Sequence, residues 1–293
     1  MVSPQLRSSI SDLLLDAGIS TEKMEVVPVD GGANNKVFTV HNKRSKYLAK
    51  IYYSNPSDMR NRLNAEYSFL KYAKNIGLEC VPKPISSSPE KNMGLYEFVQ
   101  GRKLTSSELS LQHINQAANF VRALNETLDR GKTLHNASEG CFSIEQHFQL
   151  TDMRVKKLLG LPLVSEIDRQ ALFFVGKIDS AWKKLKDAIV ARNGSISIQL
   201  DAADRCISPS DFGFHNALLR NTGKICFIDF EYAGWDDPAK MIGDFFSQPA
   251  IPVSLKHFDI FISKAFGYSK KKDELAQRAR LLLPLFQIKW CCI

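Results

Sequence analysis

Residues 208–232 constrain the fold of this chain most, because their apolar and polar residues are ordered in a way that fits one local structure. Two short apolar runs, 217–219 and 225–228, flank a sequence of turn-forming residues. Apolar runs separated in this way predict a β-hairpin. Asn216 precedes the first run and Asp229 follows the second, so the hairpin would bring these two side chains to the same end.

The polar side chains at that end suit a particular chemistry. Magnesium prefers hard oxygen ligands, which the Asp229 carboxylate and the Asn216 amide can supply. Asp211 lies five residues before Asn216, and its carboxylate could orient a hydroxyl group and accept its proton. Asp and Asn also commonly occupy turns and caps, which is the alternative for each residue taken alone. The three together, beside an apolar hairpin, favour a site for phosphoryl transfer from magnesium-bound ATP.

The bulk composition is that of an ordinary globular protein. The chain has 293 residues, of which 44% are hydrophobic and 24% are charged, enough for two lobes and a sizeable core. No apolar run approaches the roughly 20 residues that cross a bilayer, and residues 1–20 fit an amphipathic helix rather than a signal peptide. We therefore expect no membrane insertion and a cytoplasmic location. The six cysteines are dispersed, which predicts free thiols and no zinc site.

The chain is basic, with a formal net charge of +8 and a pI of about 9.1. Its basic residues are dispersed apart from two short clusters, 43–46 and 270–272, which we expect in turns. No aromatic residues are interleaved with them in the way that builds a platform for single-stranded nucleic acid. We therefore expect no nucleic-acid partner. A basic nucleic-acid-binding protein stays an alternative that the net charge alone motivates.

The order of the predicted elements divides the chain into a β-rich part and a helical part. After the leading helix, the pattern predicts one helix between 55 and 77, and strands at 26–29, 36–40, 46–53, 80–85 and 94–99. Beyond residue 101, helices are predicted at 111–128, 145–159, 166–192, 252–265 and 273–290. We therefore predict an α+β fold with lobes at 1–100 and 101–293, and the hairpin at their junction.

The sequence after the hairpin suggests how the next elements begin and end. Asp236, Asp237 and Asp244 follow Gly234, and we expect them to cap or brace the loop and the helix after it. Residues 281–293 are apolar and carry no helix-capping signal. We therefore expect the natural protein to be longer than this chain.

Several separated segments, taken with the hairpin, resemble the aminoglycoside phosphotransferase and choline kinase group. They are 31–38 (Gly-Gly-Ala-Asn-Asn-Lys-Val-Phe), Lys50, Glu66, 97–101, Asp211, Asn216 and Asp229. The group consists of small-molecule kinases with a protein-kinase-like fold, and the resemblance covers residues 25 to 250. It implies a small N-terminal β-rich lobe with one inserted helix, a larger mainly helical C-terminal lobe and a cleft between them. It also implies magnesium and ATP, with GTP as an alternative nucleotide.

The resemblance assigns nucleotide-binding roles to the N-terminal lobe. Lys50 would neutralise the α- and β-phosphates, and Glu66 would hold Lys50 through an ion pair. The other residues implied in nucleotide binding are Gly31, Gly32, Asn34 and Asn35 at the phosphates, and Glu97, Phe98 and Val99 at the adenine edge. Each assignment has an alternative. The segment with Gly31 and Gly32 could be a hairpin turn without a ligand, Lys50 and Glu66 could lie on the surface, and residues 97–99 could form a plain edge strand.

In the C-terminal lobe, the resemblance makes Asp211 the catalytic base and Asn216 and Asp229 the magnesium ligands. The sequence departs from the family's pattern two residues before Asp211, where the group usually has His and this chain has Pro209. That His is mainly a structural support, so we predict an active enzyme, and a catalytically degenerate ATP-binding scaffold of the same fold is the alternative. The residues His215, Glu231 and Trp235 are expected either to pack or to lie beside the metal or the substrate.

The resemblance implies a small hydroxylated acceptor. A sugar, an amino alcohol such as choline, and an aminoglycoside-like molecule all remain open from the sequence, as does the oligomeric state. An aromatic cage for choline would draw on Tyr232, Trp235, Phe286 and Trp290. Packing in the core is the alternative for these aromatic residues.

Overall fold

The computed structural model describes residues 2–29, 35–126 and 133–293. The strands in these ranges are β1 (Glu25–Val29), β2 (Lys36–His41), β3 (Lys46–Ile51), β4 (Pro84–Ser88), β5 (Met93–Glu97), β6 (Arg102–Lys103), β7 (Cys206–Ser208), β8 (Ala217–Leu219), β9 (Ile225–Phe227) and β10 (Gly234–Asp236). The helices are α1 (Pro4–Asp16), α2 (Arg62–Asn75), α3 (Leu111–Asn125), α4 (Ile144–Leu159), α5 (Glu166–Asn193), α6 (Pro238–Ser247), α7 (Phe258–Phe266) and α8 (Lys272–Trp290).

The first five strands form one antiparallel sheet in the order β1-β2-β3-β5-β4. In β2, Phe38 and Val40 are buried while their neighbours are more exposed, the two-residue period of a strand with one face on a core. Helix α1 covers that face, where Ile10, Leu13 and Leu14 pack with the buried strand residues. The sheet and α1 therefore share a small core of their own.

Helix α2 is the helix inserted between β3 and β4. Asn61 caps it, because Asn61 Oδ1 accepts a hydrogen bond from the backbone N–H of Asn64 (3.0 Å). Phe69 and Leu70 on α2 are fully buried. Since residues three and four apart lie on the same face of a helix, this packing also turns Glu66 toward the interior.

The helices after β6 surround an aromatic core that also holds the hairpin. Phe120 on α3 stacks on Phe227 on β9 with ring centroids 4.8 Å apart, and Phe212 stacks on Phe245 on α6 at 4.9 Å. None of these four side chains is more than 2% exposed. Burying each ring stabilises the fold by about 1.5–3 kcal/mol, so the hairpin is anchored in the helical part.

The predicted hairpin is confirmed. Strands β8 and β9 pair antiparallel, and β6 adds to them in the order β6-β8-β9. A second small sheet pairs β7 with β10. The pairing of β7 with β10 brings the segments before and after the hairpin together.

Three predicted boundaries were wrong. Helix α2 begins at Arg62 rather than near residue 55, because Asn55 instead accepts a hydrogen bond from Ser57 N (3.0 Å) in a separate turn. Strand β4 begins at Pro84 rather than residue 80, because Cys80 O instead accepts a hydrogen bond from Phe227 N (2.8 Å) on β9. Helix α7 begins at Phe258 rather than residue 252, after a short 3-10 turn.

Helix α6 follows the hairpin and is buried on nearly all sides. As the sequence predicted, Asp237 caps it, since Asp237 Oδ1 accepts a hydrogen bond from Ala239 N (2.8 Å). At Gly243, α6 meets α8 so closely that a Cβ atom would overlap the ring of Phe286. Glycine there lets the buried Phe286 ring lie directly against α6.

Two further expectations can be compared with the structure. All six cysteines are free thiols, as predicted. In the part of the chain that the structure describes, none of the helices combines the length and the apolar character needed to cross a bilayer.

Candidate active site

Lys50 lies at the centre of a buried charge cluster. It is 5% exposed on β3, and its Nζ lies 2.7 Å from Glu66 Oε2 on α2. The same ammonium group donates a hydrogen bond to Oδ1 of Asp229, which follows β9. Burial by itself would lower the pKa of Lys50, but the two carboxylates outweigh it and raise that pKa above its usual value. A charged Lys50 therefore links the N-terminal sheet to the hairpin.

Glu66 also accepts hydrogen bonds from two other groups. Tyr52 Oη donates a hydrogen bond to Glu66 Oε2 (2.7 Å), and Phe230 N donates one to Glu66 Oε1 (3.3 Å). Tyr52 Oη also lies 2.5 Å from Tyr96 Oη. Burial raises the pKa of Glu66, and the ammonium of Lys50 opposes that shift. The network fixes the Glu66 carboxylate, and with it the position of Lys50.

The two candidate magnesium ligands meet at the end of the hairpin, as the sequence predicted. Ile228 N donates a hydrogen bond to Asn216 O (2.9 Å), which ties the residue before β8 to the residues after β9. Asp229 has a positive φ of 68°, which is uncommon for a residue other than glycine. Its side chain is 41% exposed, so it stays accessible to a ligand while it pairs with Lys50.

Asp211 is held by the residues around it. Asn216 Nδ2 donates hydrogen bonds to Asp211 O (3.0 Å) and Oδ2 (3.1 Å), and His215 Nε2 lies 3.1 Å from Asp211 Oδ1. On the other side, Ser208 Oγ accepts a hydrogen bond from Ser210 N (2.9 Å). Ser208, next to the unusual Pro209, thus supports the turn that presents Asp211.

The oxygen atoms at this end of the hairpin fit a magnesium ion. Both hydrogen bonds from the Asn216 side chain to Asp211 use its nitrogen, so its oxygen is the atom that would face a cation. Asp229 adds carboxylate oxygens. Among the described residues, no group of three or more His, Cys, Asp or Glu side chains could hold a metal by itself. Magnesium often binds through one or two protein ligands together with substrate phosphates, and this site suits that mode.

Glu231 lies in a buried network that connects the segment before β2 with the hairpin. Asn35 Nδ2 donates a hydrogen bond to Glu231 Oε2, and Asn35 Oδ1 accepts one from Tyr53 N (2.9 Å). Arg62 donates hydrogen bonds to Glu231 Oε1 (3.2 Å) and to Asp58 Oδ2 (3.0 Å). Glu231 is therefore paired with protein groups here, and a role beside the metal stays a prediction. The other candidates for phosphate binding, Gly31, Gly32 and Asn34, lie outside the described residues.

The candidate adenine-binding segment lies where β5 leads toward the helical part. Glu97 ends β5, and its Oε2 accepts a hydrogen bond from Lys83 N (3.0 Å). Lys46 Nζ lies over the Phe98 ring, 3.9 Å from its centroid, and Val99 is 9% exposed. The location agrees with the expectation, and contact with adenine stays a prediction.

A pocket of about 350 Å³ opens beside Asp211. Asp211 and His215 line it, and the His215 ring makes an edge contact with the Trp290 ring at a centroid distance of 6.3 Å. Arg60 and Tyr232 also line it. The Asp211 carboxylate is therefore accessible from this pocket.

Buried charges from α6 and α8 form part of the pocket wall. Lys289 Nζ lies 2.5 Å from Asp244 Oδ1, and the same oxygen accepts a hydrogen bond from Trp290 Nε1 (2.9 Å). Lys240 Nζ lies 2.6 Å from Asp236 Oδ2 and 3.5 Å from Asp244 Oδ2. Burial would raise the pKa of Asp244, but the two ammonium groups outweigh it and lower that pKa. The Asp244 charge is therefore already balanced by the chain's own lysines.

Two aromatic candidates lie away from the pocket. Trp235 sits in β10, where its backbone bonds His135 and Ala137 and its side chain packs against the main core. Phe286 is fully buried against Gly243. Neither is among the described residues that line the pocket.

Sequence reasoning missed several basic residues of the site. Lys103 Nζ donates a hydrogen bond to His215 O (2.6 Å), Arg62 is 4% exposed, and Arg60 and Arg154 line the pocket. These residues lie far from the hairpin in sequence and follow no local pattern. Their positions depend on how the loop before α2 and helix α4 pack around the hairpin.

The fold is similar to those of solved kinases and phosphotransferases. A choline kinase from Cryptosporidium parvum aligns with a TM-score of 0.62 at 16% identity, over 97% of this chain and 88% of that chain. A spectinomycin phosphotransferase in complex with ADP and spectinomycin gives 0.64 at 14% identity, over 95% and 86%. An ethanolamine kinase from Plasmodium vivax gives 0.63 at 16%, over 98% and 80%. This likeness confirms the predicted α+β, protein-kinase-like fold.

The amino-acid sequence also identifies the family of this chain. It matches the model of the phosphotransferase enzyme family over residues 25–243. Because this match covers most of the chain, the protein belongs to the phosphotransferase enzyme family, and the predicted resemblance is confirmed. No curated protein matches the sequence significantly.

Proposed function

We propose that the protein transfers the γ-phosphate of ATP to a hydroxyl group of a small molecule. The observation that carries this proposal is the convergence of three chain segments: Lys50 on β3 pairs with Glu66 on α2 and with Asp229 after β9. Asp211 is held beside this cluster by Asn216. Phosphoryl transfer requires a cation at the phosphates, oxygen ligands for magnesium and a group that orients the attacking hydroxyl, and these residues offer all three.

Each residue of the cluster has a part in the reaction. Lys50, positioned by Glu66, would bind phosphate oxygens of the nucleotide. A magnesium ion held by Asn216 and Asp229 would neutralise charge that develops on the transferred group. Asp211 would orient the acceptor hydroxyl and accept its proton as the new oxygen–phosphorus bond forms. The bond from the γ-phosphorus to the β–γ bridging oxygen breaks, and ADP leaves with that electron pair.

The comparisons support a nucleotide and a small acceptor. One similar structure holds ADP together with spectinomycin, and others are a choline kinase and an ethanolamine kinase. We take ATP as the phosphate donor, with GTP as the alternative nucleotide to be tested beside it. The pocket of about 350 Å³ beside Asp211 is large enough for a small hydroxylated acceptor.

The variant Asp211→Asn tests the assignment of the base. Asparagine keeps the size of the side chain but cannot accept the proton, so we expect kcat to fall on the order of a thousandfold. Binding of the nucleotide with magnesium should stay within about twofold of wild type, because Asp211 is not a nucleotide ligand in this account. Phosphoryl transfer is measured as ADP release and by phosphorus NMR of the product. Wild-type turnover in this variant would contradict the assignment.

A matched variant separates the base from its surroundings. Asp201 lies on the same segment before the hairpin and outside the pocket, so the Asp201→Asn variant should have the kcat of the wild type. If the wild-type protein binds nucleotide tightly with magnesium and transfers no phosphate to any hydroxylated acceptor, the degenerate scaffold replaces the kinase as the function.

A further inference from the structure

We infer that the acceptor carries a negatively charged group, a carboxylate or a phosphate, beside the hydroxyl that is phosphorylated. This inference rests on the proposed function, because it concerns the pocket beside Asp211. Cationic acceptors such as choline would need free carboxylates or free aromatic faces in that pocket. The chain's own cations already occupy both.

The carboxylates of the pocket are already paired. Both oxygens of Glu139 accept hydrogen bonds from Arg154 Nη2, at 2.6 and 2.8 Å. Asp244 pairs with Lys289 at 2.5 Å. Among the described residues that line the pocket, Asp211 is then the one carboxylate without a Lys or Arg partner, and it is needed as the base. A cationic acceptor would have to break an existing ion pair to find a counter-charge.

The aromatic faces are covered as well. The guanidinium carbons of Arg60 and Arg62 each lie 5.3 Å from the centroid of the Tyr232 ring. Lys289 Nζ lies 5.9 Å from the centroid of the Trp290 ring. Cations attract aromatic faces within about 6 Å, which is the contact that recognises quaternary ammonium ligands. The protein's own basic side chains take those places here.

The remaining capacity of the pocket for an anion lies at Arg154. The other cationic side chains that line the pocket are already paired: Arg60 with Asp58, Lys240 with Asp236 and Asp244, and Lys289 with Asp244. The buried Nε of Arg154 has no hydrogen-bond partner. A buried N–H without an acceptor is costly, and a carboxylate or phosphate of the acceptor would satisfy it. Arginine binds both groups well because its donors form a planar fork.

A series of small alcohols that differ in charge tests the inference. Choline and ethanolamine are cationic, glycerol is neutral, glycerate carries a carboxylate and glycerol 3-phosphate carries a phosphate. We expect kcat/KM with magnesium and ATP to be at least tenfold higher for one or both anionic alcohols than for the other three. The ranking of glycerate against glycerol 3-phosphate then distinguishes a carboxylate from a phosphate. Preference for choline or ethanolamine, or equal rates with glycerol, would overturn the inference.

Variants of Arg154 locate the effect in the pocket. In Arg154→Gln, kcat/KM for the anionic alcohol should fall at least tenfold, while KM for ATP stays unchanged. The freed Glu139 carboxylate should at the same time improve use of choline. The double variant Arg154→Gln with Glu139→Gln removes the ion pair without leaving a lone charge. It should lose the preference for anionic alcohols, and its kcat/KM for choline should not rise. Arg169→Gln, on the exposed face of α5, is the matched control and should behave as wild type.

Direct binding separates this inference from the proposed function. Calorimetric titration of the full chain with each alcohol needs no turnover. Binding of an anionic alcohol that is lost in Arg154→Gln and kept in Arg169→Gln supports the inference even if the protein proves unable to transfer phosphate. Tighter binding of choline, or binding of none of the alcohols with or without magnesium and ATP, overturns it. Failure of the proposed function shows instead as absence of phosphoryl transfer to all of these alcohols, with or without magnesium-dependent nucleotide binding.

Discussion

Lys50 Nζ and Glu66 Oε2 lie 2.7 Å apart between β3 and α2, and their side chains are only 6% and 5% exposed. Removing two charges from water costs several kcal/mol each, so a buried ion pair is weak evidence for a role in stability. Here the ammonium also reaches Asp229, at the end of the hairpin. The pair therefore positions a cation at the site rather than strengthening the core.

This relationship predicts the effect of neutralising Glu66. Glu66→Gln keeps the size of the side chain and part of its hydrogen bonding but loses the charge that holds Lys50. We expect the affinity for nucleotide with magnesium to fall about tenfold, equivalent to about 1.4 kcal/mol. Calorimetric titration measures this. Glu79→Gln, which removes an exposed partner of Lys74, is the matched control and should bind as wild type. Equal affinities in both variants would argue against a positioning role for Glu66.

His215 is predicted to position Asp211. Its Nε2 lies 3.1 Å from Asp211 Oδ1, and its backbone oxygen accepts a hydrogen bond from Lys103. In His215→Ala the carboxylate loses one of its restraints, so we expect kcat to fall roughly tenfold or more with KM for ATP unchanged. His215→Gln should recover part of the rate if its amide reaches the carboxylate. A rise in KM for ATP with unchanged kcat would place His215 in nucleotide binding instead.

The Asp237 carboxylate is expected to make the free energy of unfolding depend on pH in acid. Burial would raise its pKa, but the hydrogen bond from His147 and the charge of Arg278 outweigh it and lower the pKa to about 2. A lowered folded-state pKa contributes stability that is complete above the unfolded value near 4 and is lost as the pH falls toward 2. We expect Asp237 to contribute about 2 kcal/mol to the loss of unfolding free energy over that window.

Urea unfolding of wild type and Asp237→Asn at pH 5, 4, 3 and 2 measures this contribution. Asparagine can still cap α6 but has no charge to titrate. The stability difference between the two proteins should therefore shrink as the pH falls from 4 to 2. Parallel pH profiles would show that Asp237 does not titrate in this range.

Replacing Gly243 with alanine is expected to disturb the packing of α6 against α8. In Gly243→Ala the new methyl group would overlap the Phe286 ring, so α6 and α8 must separate or the ring must move. We expect a net loss of about 1–3 kcal/mol in unfolding free energy, although alanine favours a helix over glycine. Gly176→Ala is the matched control, because a Cβ atom at Gly176 meets nothing within 4 Å. That change should stabilise the exposed part of α5 by up to about 1 kcal/mol, and denaturant unfolding compares the two.

The parts of the fold that the sequence predicted are those whose determinants are local. The hairpin follows from two apolar runs around a turn. Its strands are short and antiparallel, so the residue before the first strand, Asn216, and Asp229 after the second lie at the same end. The ion pair of Glu66 with Lys50 was expected from the resemblance rather than from local spacing, and the buried Phe69 and Leu70, three and four residues further on, account for it by turning that face of α2 inward. Boundaries set by individual capping residues, such as Asn61, were predicted less well.

The pocket could not be predicted in the same way. Arg154 meets Glu139, and Lys289 meets Asp244, only after α4 and α8 have packed against the hairpin region. No spacing or periodicity in the sequence marks such pairs, since each member alone is an ordinary polar residue of a helix or loop. The charge distribution of the pocket therefore emerges from tertiary packing, whereas the candidate phosphoryl-transfer residues Asp211, Asn216 and Asp229 lie in one segment.

Thermal unfolding with ATP or GTP, with and without magnesium, shows whether the protein binds a nucleotide through magnesium at Asp229. Ligand at a hundred times its dissociation constant stabilises the folded state by about 2.7 kcal/mol, which gives a readily measured shift in Tm. We predict a magnesium-dependent shift in wild type and in Asp259→Asn, an exposed control on α7, and its loss in Asp229→Asn. No shift with either nucleotide in wild type, or an undiminished shift in Asp229→Asn, would contradict a nucleotide site built on Lys50, Asn216 and Asp229.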